Sequence, residues 1–312
     1  MLQLLLGGSG SGKTMLLYQR IRARAEKGEK SILLVPEQFT SSTEGRIYRE
    51  LGDALSGMVE SFSFTSLAEK ILSTEGGAAV QTLSDAGRAV LVRRALEELQ
   101  DNVHYYHRHR RSAAFCQMAA QTIDELKSAG LSGQQLAQLA GACGAESGKL
   151  SELALIFQGY ETLLARSGMD PSDRLELAGA RLEEALARHS LPEFLRDRAV
   201  FIDEFDTFNA PKKRLLGAML AALPSVTVAL CDDGAPLLPG DLSLFSGAKQ
   251  VAAQLRQLAR KNGAEVAVPQ LLRKDLRHRN APGLAAVAEL LETGSCTADA
   301  PAGEVRLFAA PS

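Results

Sequence analysis

Apolar positions along this chain fall into two textures. Leu2, Leu4, Leu5 and Leu6 make a short apolar strand, a glycine-rich stretch interrupts it, and Met15 to Lys27 spaces its apolar residues as a helix does. Ser31 to Val35 is a second strand closed by Pro36. Met58 to Phe64 alternates apolar and polar residues as a third strand, with Phe62 and Phe64 on one face, before a helix over Ser66 to Ser73. After Gly76-Gly77 the strand-like runs vanish. From about Ser84 to Arg198 helical periodicity takes over, and about five helices are expected; Leu150, Leu153, Ala154, Phe157, Tyr160 and Leu164 form one buried stripe. Helix starts are marked by Asp170-Pro171-Ser172-Asp173 and by the pair Ser132 and Gln135. Ala199 to Ile202 and Val226 to Leu230 then return as continuous apolar strands of the buried parallel kind. Beyond Pro236 the pattern weakens, with a helix over Ala248 to Arg260 and short strands at Val266 to Val268 and Val305 to Phe308.

These textures predict an α/β domain built on a parallel sheet, discontinuous in sequence over 1–76 and 199–312, with an all-helical insertion over 77–198. The last strand begins almost where the chain stops, so the chain reads as a piece of a longer one.

The interruption after Leu6 carries the first chemistry. Gly7-Gly8-Ser9-Gly10-Ser11-Gly12-Lys13-Thr14 fits the P-loop pattern in full, between a strand and a helix as that pattern requires. Its glycines let successive N–H groups turn inward onto phosphate oxygens. Lys13 reaches the β and γ phosphates, and the Thr14 hydroxyl coordinates magnesium. ATP with Mg2+ is the expected ligand, although too little chain precedes Gly7 to carry an adenine-reading glutamine motif. The second element is Val200-Phe201-Ile202-Asp203-Glu204-Phe205, a strand ending in paired carboxylates. There Asp203 is expected to hold magnesium and Glu204 to activate the attacking water.

Charge and cysteine usage narrow the class. The 35 Lys plus Arg nearly cancel the 37 Asp plus Glu, so any nucleic-acid contact must be local and not a global field. Cys116, Cys143, Cys231 and Cys296 have no metal-ligand spacing, which points to reduced thiols in a cytoplasmic protein. No apolar run approaches the length that spans a bilayer.

Several ordered motifs resemble the AddB-type subunit of the bacterial AddAB helicase-nuclease, a relative of superfamily 1 DNA helicases. They are the P-loop, Leu34-Val35-Pro36-Glu37-Gln38, Glu60-Ser61-Phe62-Ser63-Phe64-Thr65-Ser66-Leu67-Ala68, Asp124-Glu125-Leu126-Lys127-Ser128-Ala129-Gly130, Lys149-Leu150-Ser151-Glu152-Leu153-Ala154-Leu155-Ile156 and Ile202-Asp203-Glu204-Phe205-Asp206-Thr207-Phe208. The resemblance covers nearly the whole chain. It implies a RecA-like P-loop NTPase domain (helicase domain 1A) with a 1B-like helical insertion, acting in double-strand-break repair and recombination. It also implies DNA and an AddA-type subunit as partners, with a second motor domain, a nuclease domain and an iron-sulfur cluster beyond Ser312. Two departures stand out. Val226 to Leu230 ends in Cys231-Asp232-Asp233-Gly234 without a γ-phosphate-sensing glutamine, and the arginines that complete hydrolysis are expected from the absent second domain. Weak turnover or none is the expectation.

For DNA, the resemblance implies Ser63, Phe64 and Thr65. Side-chain chemistry adds Arg108, Arg110 and Arg111 within His104-Tyr105-Tyr106-His107-Arg108-His109-Arg110-Arg111, where the bland alternative is a solvated loop. Two other classes remain open: a P-loop small-molecule kinase with a helical lid, and a non-hydrolysing scaffold that ATP stabilises.

Overall fold

Six strands make one all-parallel sheet. In the computed structural model, which describes residues 1–79, 81–144, 147–295 and 306, these are β1 (Leu2–Gly7), β2 (Ser31–Leu34), β3 (Val59–Phe62), β4 (Ala199–Ile202), β5 (Ser225–Cys231) and β6 (Gln270–Leu272). They are hydrogen-bonded in the order β3-β2-β4-β5-β1-β6. β5 therefore lies between β1 and β4, with Leu4 opposite Val228 on one side and Val200 opposite Val226 on the other. A parallel sheet must be covered on both faces, which is why Leu2, Leu4, Leu5 and Val200 are fully buried and the strands read as unbroken apolar runs.

Twelve helices are described: α1 (Lys13–Ala25), α2 (Thr40–Leu51), α3 (Asp53–Ser56), α4 (Phe64–Glu75), α5 (Asp85–Glu98), α6 (Ala113–Ser128), α7 (Gly133–Ala140), α8 (Ser147–Ser167), α9 (Pro171–Ala187), α10 (Ala210–Ala222), α11 (Ser246–Lys261) and α12 (Pro282–Thr293). The chain divides into two compact units. One holds Met1–Ser63, Phe194–Thr207 and the described residues from Leu220 onward; the other holds Phe64–Glu193 and Phe208–Met219. In the sheet unit, Leu17, Tyr18 and Ile21 of α1 and Ile47 and Leu51 of α2 pack with Leu5, Leu33 and Phe201. Among the described residues no helix is long and apolar enough to cross a membrane.

The helical unit is organised around α8. Phe157, Tyr160 and Leu164 meet Val92, Ala95 and Leu96 of α5 and Cys116, Ala119 and Ile123 of α6 in one core. α7 packs on α8, and α4 on α9. Ser132 and Gln135 form the capping box that starts α7, and Pro171 occupies the first turn of α9. Of the expected α8 stripe, Leu150 and Leu153 are only half-buried, whereas Ile156, Leu163 and the carboxylate-bearing Glu152 are buried.

Two strand expectations need correction. Phe64 does not continue β3; it opens α4, in the helical series Phe64, Leu67, Ala68, Ile71 and Leu72. Its ring sits edge-on to Phe208 at 6.0 Å. A period of two and the first buried turn of a helix both put apolar residues at 62 and 64, so alternation ran past the real boundary. Val266 to Val268 is not a strand either. Val266 makes an isolated bridge with Leu2, Val268 is exposed, and the edge strand β6 forms after Pro269, which has no N–H to give a ladder. Val305 to Phe308 and Cys296 lie outside the described residues, apart from Arg306. Among the described residues Cys116, Cys143 and Cys231 are free thiols.

Candidate functional site

β1 ends at Gly7 and α1 begins at Lys13, so the intervening loop turns within five residues. Two backbone positions make the turn possible. Gly10 has φ +79° and Gly12 φ +89°, the left-handed region where a side chain is strained. α1 has no acidic residue in its first turn, which leaves its N-terminal N–H groups for an external anion. Lys13 folds back, its Nζ donating to the carbonyls of Gly7 and Gly8 at 2.8 Å each. Among the described residues the buried Ser11 hydroxyl has no hydrogen-bond partner, an orphaned polar atom inside a loop shaped for phosphate.

Asp203 follows β4 and is held by its own N–H, which donates to the Leu34 carbonyl at 3.1 Å. Burial pushes its carboxyl above the usual carboxylate range, opposed by hydrogen bonds from the Thr14 hydroxyl and the Glu204 N–H and by the charge of Lys13. Glu204, although exposed, is also raised, by partial loss of solvent first and by the charge of Asp203 second. Its backbone is left-handed at φ +64°. For a residue that is neither Gly nor Asn that conformation costs about 1–2 kcal/mol, a strain typical of sites where an orientation matters. Lys13, Thr14, Asp203 and Glu204 thus converge on one cavity of about 450 Å³ at the carboxyl end of the sheet, where open parallel sheets bind ligands.

Two residues that sequence reasoning missed line the same cavity. Arg46, on α2, lies over the Tyr18 ring at 5.0 Å from its centroid, makes no ion pair among the described residues, and its charge draws Asp203 and Glu204 downward. Burial drives the Tyr18 hydroxyl up to about 12. Arg277, after β6, donates to the Ser9 hydroxyl at 3.0 Å, while the Leu276 N–H donates to the Gly10 carbonyl at 3.0 Å. Asp275 fixes that segment by accepting from the N–H groups of Arg277 and His278, each at 3.0 Å, and from His278 Nδ1 at 2.8 Å. No motif spacing announces either arginine. Arg277 reaches the loop because β6 is hydrogen-bonded beside β1. At the end of β5, Cys231 lines the cavity, and Asp232 instead accepts the Gly234 N–H at 2.7 Å. A larger cavity, about 570 Å³, borders Gly8 and Ser9 between Asp233 and Glu292, but Lys13, Thr14, Asp203 and Glu204 do not line it.

The residues expected at DNA are not in this cavity. Ser63 and Phe64 are buried, and Phe64 carries the Lys212 ammonium over its ring at 5.6 Å, so that ring is committed to packing; Thr65 is exposed. Arg108 and Arg111 are exposed in the helical unit, where Arg110 is hydrogen-bonded to His107.

The motif stretches of the helical unit carry structural ties. Lys127 bonds Asp170 at 2.8 Å and Asp173 at 2.8 Å. Burial draws its pKa down, but those bonds hold it above the ordinary value. Asp124 accepts from Ser172 at 2.9 Å, and Tyr160 donates to Asp170 at 2.6 Å.

Comparison with known proteins matches residues 4–288 to a family described as "ADDB, N-terminal". Proteins known as the B subunit of an ATP-dependent helicase/deoxyribonuclease are similar to the chain. That of Desulforudis audaxviator (strain MP104C) is 34% identical over 296 residues, covering 91% of this chain and 25% of the relative. That of Moorella thermoacetica is 33% identical over 299 residues, with the same coverage. That of Symbiobacterium thermophilum is 31% identical over 313 residues, or 93% of this chain and 26% of the relative. The chain therefore spans about a quarter of the length of these relatives.

Proposed function

The chain belongs to the AddB N-terminal family, and from that premise we propose that it is the nucleotide-binding region of an ATP-dependent helicase-nuclease subunit. The observation that carries the reading is the convergence of Lys13, Thr14, Asp203 and Glu204 on one cavity at the strand ends. We read the sheet unit as a RecA-like P-loop domain and the helical unit as its insertion. The left-handed glycines, the orphaned Ser11 hydroxyl and the free first turn of α1 fit a triphosphate. Thr14 and Asp203 would hold Mg2+, which when bound neutralises phosphate charge. The Glu204 carboxylate would orient water and accept its proton. Arg46 and Arg277 supply cations toward the same cavity, although cationic residues from a second motor domain are still expected for full turnover. The fragment on its own is read as binding ATP and turning it over slowly or not at all.

In the whole protein this region would serve a cytoplasmic enzyme that processes DNA ends in double-strand-break repair and recombination, beside an AddA-type subunit. The iron-sulfur cluster and nuclease would be carried by the remainder of the longer protein. A kinase reading is disfavoured by the relatives, which are named as helicase/deoxyribonuclease subunits. Calorimetry of Mg-ATP binding, with turnover followed in the same sample, tests the proposal. Wild type should bind, Lys13→Ala should lose binding at least tenfold, and Glu204→Gln should bind normally while losing residual turnover. Equal Mg-ATP affinity in wild type and Lys13→Ala would overturn it.

A further inference from the structure

The helical unit carries a surface that nucleotide binding does not use. His104-Tyr105-Tyr106-His107-Arg108-His109-Arg110-Arg111 joins α5 to α6 and contains no acidic residue. Loops of this composition are commonly mobile and merely solvated. Here a buried carboxylate fixes the entry. Glu152 of α8 is 6% exposed. Its oxygens accept the N–H groups of His104 at 2.7 Å, Tyr105 at 2.9 and 3.0 Å, and Tyr106 at 3.3 Å. These partners are main-chain amides, so the anchor uses none of the arginine charge of the loop.

The exit is fixed as well. The rings of Tyr106 and His109 pack on Phe115 of α6, with centroids 5.4 and 5.5 Å away, Arg110 folds onto His107, and the Ser112 hydroxyl caps α6. Arg108, Arg111, His104 and Tyr105 remain exposed. Tyr105 is 58% exposed, and its ring rests on Gly148, where a Cβ would come within 2.9 Å of it. The loop is thus a braced array of two exposed guanidinium groups, with no ion pair among the described residues, and a supported aromatic ring.

We propose that this loop is a pre-formed contact for single-stranded nucleic acid, with Arg108 and Arg111 on phosphates and Tyr105 stacked on an unpaired base. The proposal rests on the reading that DNA is a ligand, and it is independent of nucleotide binding. An acidic protein surface would satisfy the arginines alone. An exposed ring braced by a glycine offers instead a flat face that a base can use once it is free of a duplex. Fixing the loop before binding lowers the ordering cost of contact.

Anisotropy of a labelled oligothymidine, titrated with the whole chain at several salt concentrations, tests this. Wild type should bind the single strand more tightly than a duplex of equal length. Arg108→Glu with Arg111→Glu should lower the slope of log affinity against log salt by about 1.4, at roughly 0.7 per lost phosphate contact. Tyr105→Ala should weaken binding roughly 5- to 150-fold with little change in that slope. Glu152→Gln should weaken it too, but Glu152 is buried and its loss could act through folding, so the exposed positions decide the test. Lys13→Ala should bind the oligonucleotide as wild type does. A neutral Tyr105→Ala, or equal binding of duplex and single strand, would overturn the proposal and leave the nucleotide reading intact. Unchanged Mg-ATP binding in Lys13→Ala would do the reverse.

Discussion

Charge is handled in opposite ways in the helical unit and at the strand ends of the sheet unit. In the helical unit charge is satisfied within the chain: Lys127 has Asp170 and Asp173, Glu152 has three amides, and Arg174 is paired with Glu69. At the strand ends of the sheet unit it is left over. Asp203 is buried and raised by that burial, the buried Ser11 hydroxyl has no partner among the described residues, half-buried Arg46 has a ring beneath it but no carboxylate, and half-buried Lys13 has only its own loop carbonyls. Paired buried charge holds a structure in shape, whereas unpaired buried charge costs stability that a ligand can return. The second pattern is the stronger pointer to a site.

Substitutions can break or sharpen this contrast. Lys127→Met should have the largest effect, a loss of about 3–5 kcal/mol, because it leaves Asp170 and Asp173 without their cation. Urea unfolding followed by circular dichroism reads it, and Lys13→Met in the same assay should cost far less. A greater loss at Lys13 would reverse the contrast. Gly12→Ala should cost about 1–2 kcal/mol in thermal unfolding, since a side chain is forced to φ +89°. Glu204→Gly goes the other way: removing the side chain from a left-handed backbone should stabilise the ligand-free protein by about 1 kcal/mol.

The smallest effect is expected at Asp203. Because burial raises its carboxyl in the fold, the folded chain binds that proton more tightly than the unfolded chain. Its contribution to stability therefore falls as pH rises from the ordinary carboxylate value through the raised one, and the deficit persists to neutrality. Asp203→Asn should remove the deficit, raise the ligand-free Tm at neutral pH by about 1–2 °C, and abolish the fall in stability that this carboxyl contributes as pH rises through its raised value. A lower Tm at neutral pH in this variant would show that the carboxylate is satisfied and not strained.

Much of this was legible in the sequence because it is written locally. The apolar runs of β1, β4 and β5, the glycine loop and the caps at Ser132 and Pro171 each declare themselves within a few residues. Lys13, Thr14, Asp203 and Glu204 belong to such local patterns. The rest depends on pairing across the chain. β6 is three residues long and follows a proline, so nothing nearby says that Leu272 will stand beside Gly7 and carry Arg277 to the loop. Arg46 looks like one more charge on a surface helix until α2 packs beside α1. Glu152 sits among apolar neighbours in α8, and its partners become visible only once the loop before α6 has folded back over it. The early start of α4 was hidden for a different reason, since Phe62 and Phe64 suit either period.

β5 has a consequence for the size of the site. It stands between the strand that carries the loop and the strand that carries the carboxylates, yet Lys13, Thr14, Asp203 and Glu204 all come from elsewhere. With neighbouring strands about 4.8 Å apart, this places β1 and β4 about 10 Å apart. The strand acts as a spacer gauge, and its thickness is the same whatever the loops do. The Thr14 hydroxyl and the Asp203 carboxylate meet over the top of that gauge. Because side chains stand off the faces of a sheet, a substitution such as Val228→Phe would press on the layer covering that face and leave this backbone spacing, and with it the span between phosphate loop and carboxylates, in place.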